Sequence, residues 1–408
     1  MRVINLEQLP SVLSHLPVNP RVVVSGNFAT PKALLGAFDA NVPEYTLHLL
    51  NAQGTLPDRQ GVTFETAFVG PGMRNHPGLR YLPSRLSMLP ELIRDHLRPD
   101  VVLVHTSTRR HDTVSLGIEV NVLPMAIETA KAHGGVVIAQ SNPHMPYTYG
   151  DAQIYENEID FMVEVDEELA THESGALDDT SRRIGELIAA QIDDGSTLQL
   201  GIGGVPDAVL SALTGRRRLR VWSEMFSDGV LNLHRVGALD DDVPLTSSFI
   251  FGSRDLYDWL NLNRQVRMMR TEQTNDPAHI AKQAKMTSVN GALQVDLFDQ
   301  ANSSRLNGRI YSGFGGATDF VVGALHARGG QSFIALPSWH PKAGVSTIVP
   351  IITEPVTSLQ HSAIATENGI ARVFGRTQGE QANNIIEFAA HPKARDELRQ
   401  HAHEFGLL

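Results

Sequence analysis

Short β-branched runs alternate with stretches of helical periodicity along the whole of this chain. Arg21-Val-Val-Val-Ser-Gly reads as a strand running into a glycine turn, with a helix after it over 31–38. Proline suits the first turn of that helix, where no intrahelical partner exists for its missing N–H. Residues 45–50 predict a strand, 90–97 a helix, 101–105 a strand, 123–133 a helix and 135–140 a strand. A second series follows. Over 180–192, Ile184, Leu187 and Ile188 share one side and arginines the other, which predicts an amphipathic helix. A strand, a glycine loop and a helix are expected over 197–213 and a strand over 219–222. Further strands are expected at 248–251, 310–311, 332–336 and 371–374. The alternation predicts βαβ units: an α/β fold with mostly parallel sheet and helices on both faces.

At 408 residues the chain exceeds one ordinary core, so two domains are expected. The stretch 163–179, rich in Glu and Asp, is the most linker-like segment. It sets the boundary near residue 180, giving domains over 1–179 and 180–408 with the same strand-and-helix grammar.

Composition narrows the classes. Hydrophobic content of 42% with 19% charged residues describes a soluble globular chain rather than a disordered one. A net charge of −11 argues against non-specific nucleic-acid binding, which needs a basic face, yet leaves room for a locally positive pocket. Cysteine is absent, which excludes disulfides, thiolate metal sites and a thiol nucleophile, and suits a reducing cytoplasm. Neither a signal-peptide apolar region at the N-terminus nor a membrane-length apolar run is present, so no membrane association is expected.

Two strand-to-loop joints carry the candidate chemistry. Val221-Trp-Ser-Glu-Met-Phe-Ser-Asp-Gly-Val230 puts Glu224 between an apolar run and a glycine turn. Upstream lies Leu198-Gln-Leu-Gly-Ile-Gly-Gly-Val-Pro-Asp-Ala-Val209. Joints this close in sequence are expected on the same edge of a parallel sheet, where α/β proteins bind ligands. The glycine loop is neither a dinucleotide fingerprint nor a P-loop: proline stands at its sixth position and no Gly-Lys-Ser/Thr follows. It is either a plain turn whose glycines supply positive φ or a backbone cradle for an anion at the helix N-terminus. Glu224 has three readings: an arginine partner, a loop cap, or a base or nucleophile. Gly313-Phe-Gly-Gly-Ala-Thr-Asp-Phe320 is a second glycine loop, either a turn or a source of N–H donors for an oxyanion. Pro337-Ser-Trp-His-Pro-Lys-Ala-Gly-Val-Ser346 gathers His340, a candidate base, and Lys342, a candidate partner for phosphate or carboxylate. No His-Glu-x-x-His spacing suggests a metal, and no Gly-x-Ser-x-Gly elbow is present. A carboxylate is the best nucleophile left.

The order of motifs adds a resemblance. Gly201–Val209, Ser223-Glu-Met-Phe-Ser-Asp-Gly229, Asn275-Asp-Pro277, Leu293-Gln-Val-Asp-Leu297, Gly313–Phe320 and Thr366-Glu-Asn-Gly-Ile-Ala371 together resemble the acetyl-CoA hydrolase/transferase family. The nearest branch is the 4-hydroxybutyrate type of class I CoA-transferase. Gly70-Pro-Gly72, Ser115-Leu-Gly117, Asn142-Pro-His-Met-Pro146 and Glu158-Ile-Asp-Phe-Met-Val-Glu164 extend the match, more loosely, through the first half. The resemblance implies two related α/β domains of CoA-transferase (NagB/RpiA) type with the site in a cleft between them. It implies that Glu224 is the nucleophile and that Gly315 and Gly316 offer N–H groups to the thioester oxygen. Asn275 would hold the acyl or pantetheine end. Gly201, Ile202, Gly203, Gly204 and Val205 would contact CoA, and Lys342 a CoA phosphate. The implied partners are acyl-CoA and small carboxylic acids, with coenzyme A as substrate, no permanently bound cofactor and a homodimer or larger assembly. The implied activity is CoA transfer by a ping-pong route through a glutamyl–CoA thioester. Acyl-CoA hydrolysis by the same glutamate is the alternative, and a non-catalytic CoA sensor the reading from another class. The chain departs from the family at three places. The segment 105–117 lacks an acidic, glycine-rich insertion, Ser338-Trp-His-Pro replaces a stretch of small residues, and Asn368 stands where tyrosine is usual. These positions are expected to shape the acyl pocket, with Trp339 narrowing it if it faces inward.

Overall fold

A computed structural model describes residues 1–173 and 175–408. Two compact units divide the chain. The first comprises Met1–His172, Pro244–Thr274 and Tyr311–Gly315; the second comprises Glu173–Val243, Asn275–Ile310 and Gly316–Leu408. The first unit thus takes two segments from beyond residue 180.

The first unit is built on an eight-stranded sheet. Its strands are β1 (Arg2–Ile4), β2 (Arg21–Val24), β3 (Tyr45–His48), β4 (Val62–Thr66), β5 (Arg80–Tyr81), β6 (Val101–Thr106), β7 (Val136–Ser141) and β8 (Phe161–Glu164). They lie in the order β1-β8-β7-β6-β2-β3-β4-β5, and every neighbouring pair is parallel. All six residues of β6 are buried, as a central parallel strand covered on both faces requires. Helices α1 (Lys32–Asn41) and α2 (Leu123–Ala132) bury Leu34, Leu35 and Phe38, and Leu123, Ala126 and Ile127.

The second unit has a six-stranded sheet of β9 (Thr197–Leu200), β10 (Arg220–Val221), β11 (Met286–Gly291), β12 (Gln331–Ala335), β13 (Ala363–Thr366) and β14 (Gly369–Arg372). The order is β10-β9-β11-β12-β13-β14, parallel except for the final hairpin. The expected strand at 371–374 therefore starts two residues earlier, and the one at 310–311 is half of a small hairpin, Arg305–Leu306 against Arg309–Ile310. Register assigns the faces. Thr197 pairs with both Arg220 and Met286, so Gln199, Trp222, Ser288 and Asn290 share a face with Met286. On that face Met286 packs with Phe320, Ala324 and Ala327 of helix α6 (Ala317–His326) and its C-terminal end, and Trp222 joins them. Leu198, Leu200 and Val221 point the other way, towards Leu210 of α4 (Gly204–Ala212) and Val230 of α5 (Asp228–Arg235). A C-terminal apolar cluster of Ile334, Ile364, Ile385, Ile386 and Leu398 completes the core.

Helix α3 (Asp179–Ala189) precedes β9, and its start is fixed by the Asp178 side chain, which accepts from the Ser181 N–H at 2.9 Å and its hydroxyl at 2.7 Å. It lies so close to α4 that a Cβ on Gly185 would come within 2.6 Å of the Ala208 backbone. This approach holds the start of α4, and with it the glycine loop, against the sheet. Gly36 is also helical, but a Cβ there meets nothing within 4 Å. The same substitution at the two positions is expected to have opposite signs in urea unfolding. Gly36→Ala gains about 0.5–1 kcal/mol from helix propensity, whereas Gly185→Ala loses about 1–3 kcal/mol to overpacking.

Candidate active site

Strand β10 ends at Val221, yet the chain continues beside β9: the Trp222 N–H donates to the Leu198 carbonyl at 3.1 Å, and the Ser223 hydroxyl to that of Leu200 at 3.4 Å. Ser223 and Met225 join Leu198, Leu200 and Val221 around a small apolar cavity. Strand alternation then turns Glu224 to the opposite face, that of α6. There one Glu224 carboxylate oxygen accepts from Asn275 Nδ2 at 3.0 Å, and the carboxylate also accepts from the Gly316 backbone N–H.

Both donors are positioned by backbone close packing. Asn275 is fully buried, and the Asp276 side chain after it caps the helical turn Pro277–Ile280 by accepting from the Ala278 N–H. Gly316 is the N-cap of α6. Gly323, two turns on, lets α6 approach that turn, since a Cβ there would fall 2.5 Å from Ile280. The packing of one helix against one turn thus brings Asn275 and Gly316 to the same carboxylate. A Cβ on Gly316 would stand 1.8 Å from Glu224 Oε2 and 2.2 Å from Asn275 Nδ2, so only glycine leaves room.

The electrostatics are those of a carboxylate held by neutral donors. Burial is the main effect and pushes the Glu224 carboxyl up to about 7; the negative charge of Asp319 adds to the rise, and the Asn275 and Gly316 hydrogen bonds oppose it. The residue keeps partial exposure, so the carboxylate is desolvated without being sealed. Asp319 itself is fully buried in the first turn of α6.

The other expected site residues fall as follows. Gly201, Ile202, Gly203, Gly204 and Val205 leave the C-terminal end of β9 and open α4, with Ile202, Gly203 and Gly204 exposed. Gly203 sits at φ +112°, a conformation natural only to glycine, and a Cβ on Gly201 or Gly203 would meet nothing within 4 Å. Lys342 is exposed at the tip of the hairpin Trp339–His340/Val345–Ser346, whose turn is tied by the Ala343 N–H donating to His340 Nδ1. Gly315 belongs to the first unit, at φ +57°, with its carbonyl accepting from the Leu86 N–H at 2.9 Å. Among the described residues no cluster of His, Asp or Glu is arranged to hold a metal ion, and no helix is long and apolar enough to cross a membrane.

Comparison with known proteins identifies the family. Residues 252–402 match the acetyl-CoA hydrolase/transferase C-terminal domain. The chain is 36% identical over 330 residues to 4-hydroxybutyrate coenzyme A transferase of Clostridium kluyveri, covering 78% of this chain and 76% of that one. The chain belongs to the acetyl-CoA hydrolase/transferase family. Solved structures similar to it include RipA from Yersinia pestis, with a TM-score of 0.90 at 26% identity over 100% of this chain and 98% of that one. Another is 4-hydroxybutyrate CoA-transferase from Porphyromonas gingivalis, with a TM-score of 0.83 at 30% identity over 99% and 98%.

Two of the three departures from the usual motifs, Ser338-Trp-His-Pro and Asn368, come together in space. Ser338 is fully buried: its N–H donates to one Glu367 carboxylate oxygen at 2.9 Å, its hydroxyl to the other, and it accepts from Asn368 Nδ2 at 2.8 Å. Trp339 lies against the His391 ring, centroids 4.7 Å apart, with the Lys393 ammonium 5.7 Å from its ring centre. Its ring is thus engaged with the C-terminal segment. Asp319 was not singled out from sequence. An acidic residue in the first turn of a helix is the commonest of N-terminal signals and carries no mark of a nearby carboxylate.

The close approach at Gly316 generates a test. Its φ of −98° is open to alanine, so Gly316→Ala is expected to fold. Its methyl group displaces the Glu224 carboxylate, and activity is expected to fall roughly a hundredfold. Assay of CoA exchange beside a thermal melt checks both halves.

Proposed function

We propose that the protein moves CoA between an acyl-CoA and a free carboxylic acid, with Glu224 as nucleophile. One observation carries this reading: a desolvated carboxylate at a strand end, held by Asn275 and Gly316, in a chain of the acetyl-CoA hydrolase/transferase family.

The geometry supports the following chemistry. The Glu224 carboxylate attacks the thioester carbonyl; the C–S bond breaks, giving an acyl–glutamyl anhydride and the CoA thiolate. The thiolate attacks the glutamyl carbonyl, forming a glutamyl–CoA thioester and releasing the first acid as its carboxylate. A second carboxylate runs the steps in reverse and leaves with CoA. In the thiolate step negative charge lands on a glutamyl oxygen, which the Asn275 amide and Gly316 N–H groups already face. One such preorganised donor is typically worth about 3–4 kcal/mol. The family resemblance assigns Gly315 to the thioester oxygen, the loop 201–205 to CoA and Lys342 to a phosphate. The exposed glycine backbone at the start of α4 supports the loop's part, because unpaired N–H groups and the helix N-terminus favour an anion.

Trapping tests the nucleophile. After incubation with acyl-CoA, borohydride treatment is expected to modify the peptide carrying Glu224, and Glu224→Gln to lose the label with about a thousandfold or greater loss of exchange. A label on another peptide overturns the mechanism, and CoA release at full rate without an acceptor acid replaces transfer by hydrolysis.

The pH dependence has a defined sign. Only the ionised carboxylate attacks, so the rate of thioester formation is expected to rise about tenfold per pH unit below the midpoint, near 7, and to level above it. Asp319→Asn removes a neighbouring negative charge and is expected to move that midpoint down, read from single-turnover rates across pH.

A further inference from the structure

The strand order of the second sheet measures how far a CoA thioester at Glu224 extends. Strands β10, β9, β11 and β12 are parallel neighbours, so their C-terminal ends share one edge. Glu224 follows β10, and the hairpin Trp339–His340/Val345–Ser346 follows β12, three strand spacings or roughly 14 Å along that edge. The pantetheine arm of CoA is a chain of amide-linked units that reaches about as far as four extended residues, again roughly 14 Å. With its thioester at Glu224 and its arm laid along the edge, CoA brings its phosphates to this hairpin.

The hairpin is joined to the C-terminal segment. Leu336 and Ile348, just outside its two strands, share one apolar cluster with Ala394 and with Leu398 and Ala402 of α7 (Arg395–Glu404). The Trp339 ring packs on the His391 ring, and His391 is held in a tight turn of its own. Its Nδ1 accepts from the Lys393 N–H at 3.3 Å, and its carbonyl accepts from the Ala394 N–H at 2.9 Å. This turn brings the Lys393 ammonium back to 5.7 Å from the Trp339 ring centre. Lys342 stands three positions along the chain from Trp339, at the hairpin tip. Both lysines are exposed, and neither ammonium has a carboxylate partner among the described residues. Asp396, the acid nearest to Lys393 in sequence, pairs with Arg399 at 3.3 Å.

We infer that Lys393 is a second phosphate-binding residue for CoA beside Lys342, and that Trp339, seated on His391, is the positioning residue that makes the two lysines one cationic site. This rests on the reading of Lys342 as a phosphate contact. CoA carries phosphate at two places, a pyrophosphate next to the pantetheine arm and a separate 3′-phosphate on the ribose, so a single lysine leaves one of them unmatched. A lysine arm packed on an indole has already lost part of its rotamer freedom, which lowers the entropy cost of holding the phosphate. The side chain that replaces a small residue of the family thus acts on the nucleotide end of the substrate and not on the acyl end.

The test compares an acyl-CoA with the same acyl group on pantetheine, which lacks every phosphate-bearing part of the nucleotide. Lys393→Met keeps the apolar arm and removes the charge. It is expected to lower the ratio of kcat/KM for acyl-CoA to that for acyl-pantetheine roughly tenfold, with the loss in KM and shrinking as salt is raised. Trp339→Ala is expected to lower the ratio by a similar factor, and Trp339→Phe, which keeps a ring on His391, to restore most of it. Loss of stability alone lowers both rates and leaves the ratio unmoved. An unchanged ratio in Lys393→Met while Lys342→Met lowers it overturns the inference, as does an equal fall with the two thioesters. An unchanged ratio in Lys342→Met instead overturns the placing of a CoA phosphate at the hairpin, and this inference falls with it. Absence of the label on Glu224 overturns the nucleophile and leaves the site to calorimetric titration with CoA. There a roughly tenfold loss of affinity in Lys393→Met supports the site and an unchanged affinity overturns it.

Discussion

Everything at the site depends on one carboxylate taken partly out of water and held by two neutral donors, Asn275 and Gly316. Had an arginine faced Glu224, the ion pair would have held the carboxyl low and tied up its lone pairs, giving a poor nucleophile. Asn275 and Gly316 orient the oxygens without neutralising them, and burial with Asp319 nearby raises the carboxyl to about 7. The arrangement requires N–H donors at van der Waals limits, which explains why a backbone amide at a glycine is used. No side chain fits between the carboxylate and the helix start.

The same constraint reaches outward into the packing. Glu224 faces α6 because Val221, Ser223 and Met225 take the other face, and a one-residue slip of β10 against β9 would exchange the two sets. Asn275 and Gly316 meet because Gly323 admits Ile280. The loop after β9 is held because Gly185 admits the Ala208 backbone. Gly185 and Gly323, far apart in sequence, therefore do one job, letting rigid elements approach until backbone atoms set the geometry. Sites held this way are more exact than sites hung on mobile loops.

How far the sequence revealed this depends on how apolar each element is. The strands at 101–106 and 136–141 announce themselves because both faces are buried in carbon. Strand β11, central to the second sheet, was not read from sequence: Met-Thr-Ser-Val-Asn-Gly shows no apolar run, since Ser288 and Asn290 line the polar face shared with Gln199. Strand β8 ends at Glu164 and overlaps the acidic stretch that reads as linker, because its last residue turns outward. Glu224 was legible as a residue at a strand end, and the adjacency of its joint to the glycine loop was legible from their spacing. That Asn275, 51 positions away by numbering, meets it follows from the family's motif order and not from local pattern. Asp319 and the Gln199–Ser288–Asn290 set depend on register and helix docking, which no local window contains.

The raised carboxyl also has a cost in the fold. An acid whose folded pKa exceeds its unfolded one binds its proton more tightly when folded, so it weakens the fold as pH rises. Nothing is lost below the ordinary value of 4.5, and the penalty is complete above about 7. At 1.36 kcal/mol per pKa unit it amounts to at most about 3.4 kcal/mol, less what partial exposure recovers. Such a residue is kept against a stability gradient that Glu224→Gln would relieve. The unfavourable charge therefore supports the reading of Glu224 as a chemical residue, beside the hydrogen bonds from Asn275 and Gly316 that orient it.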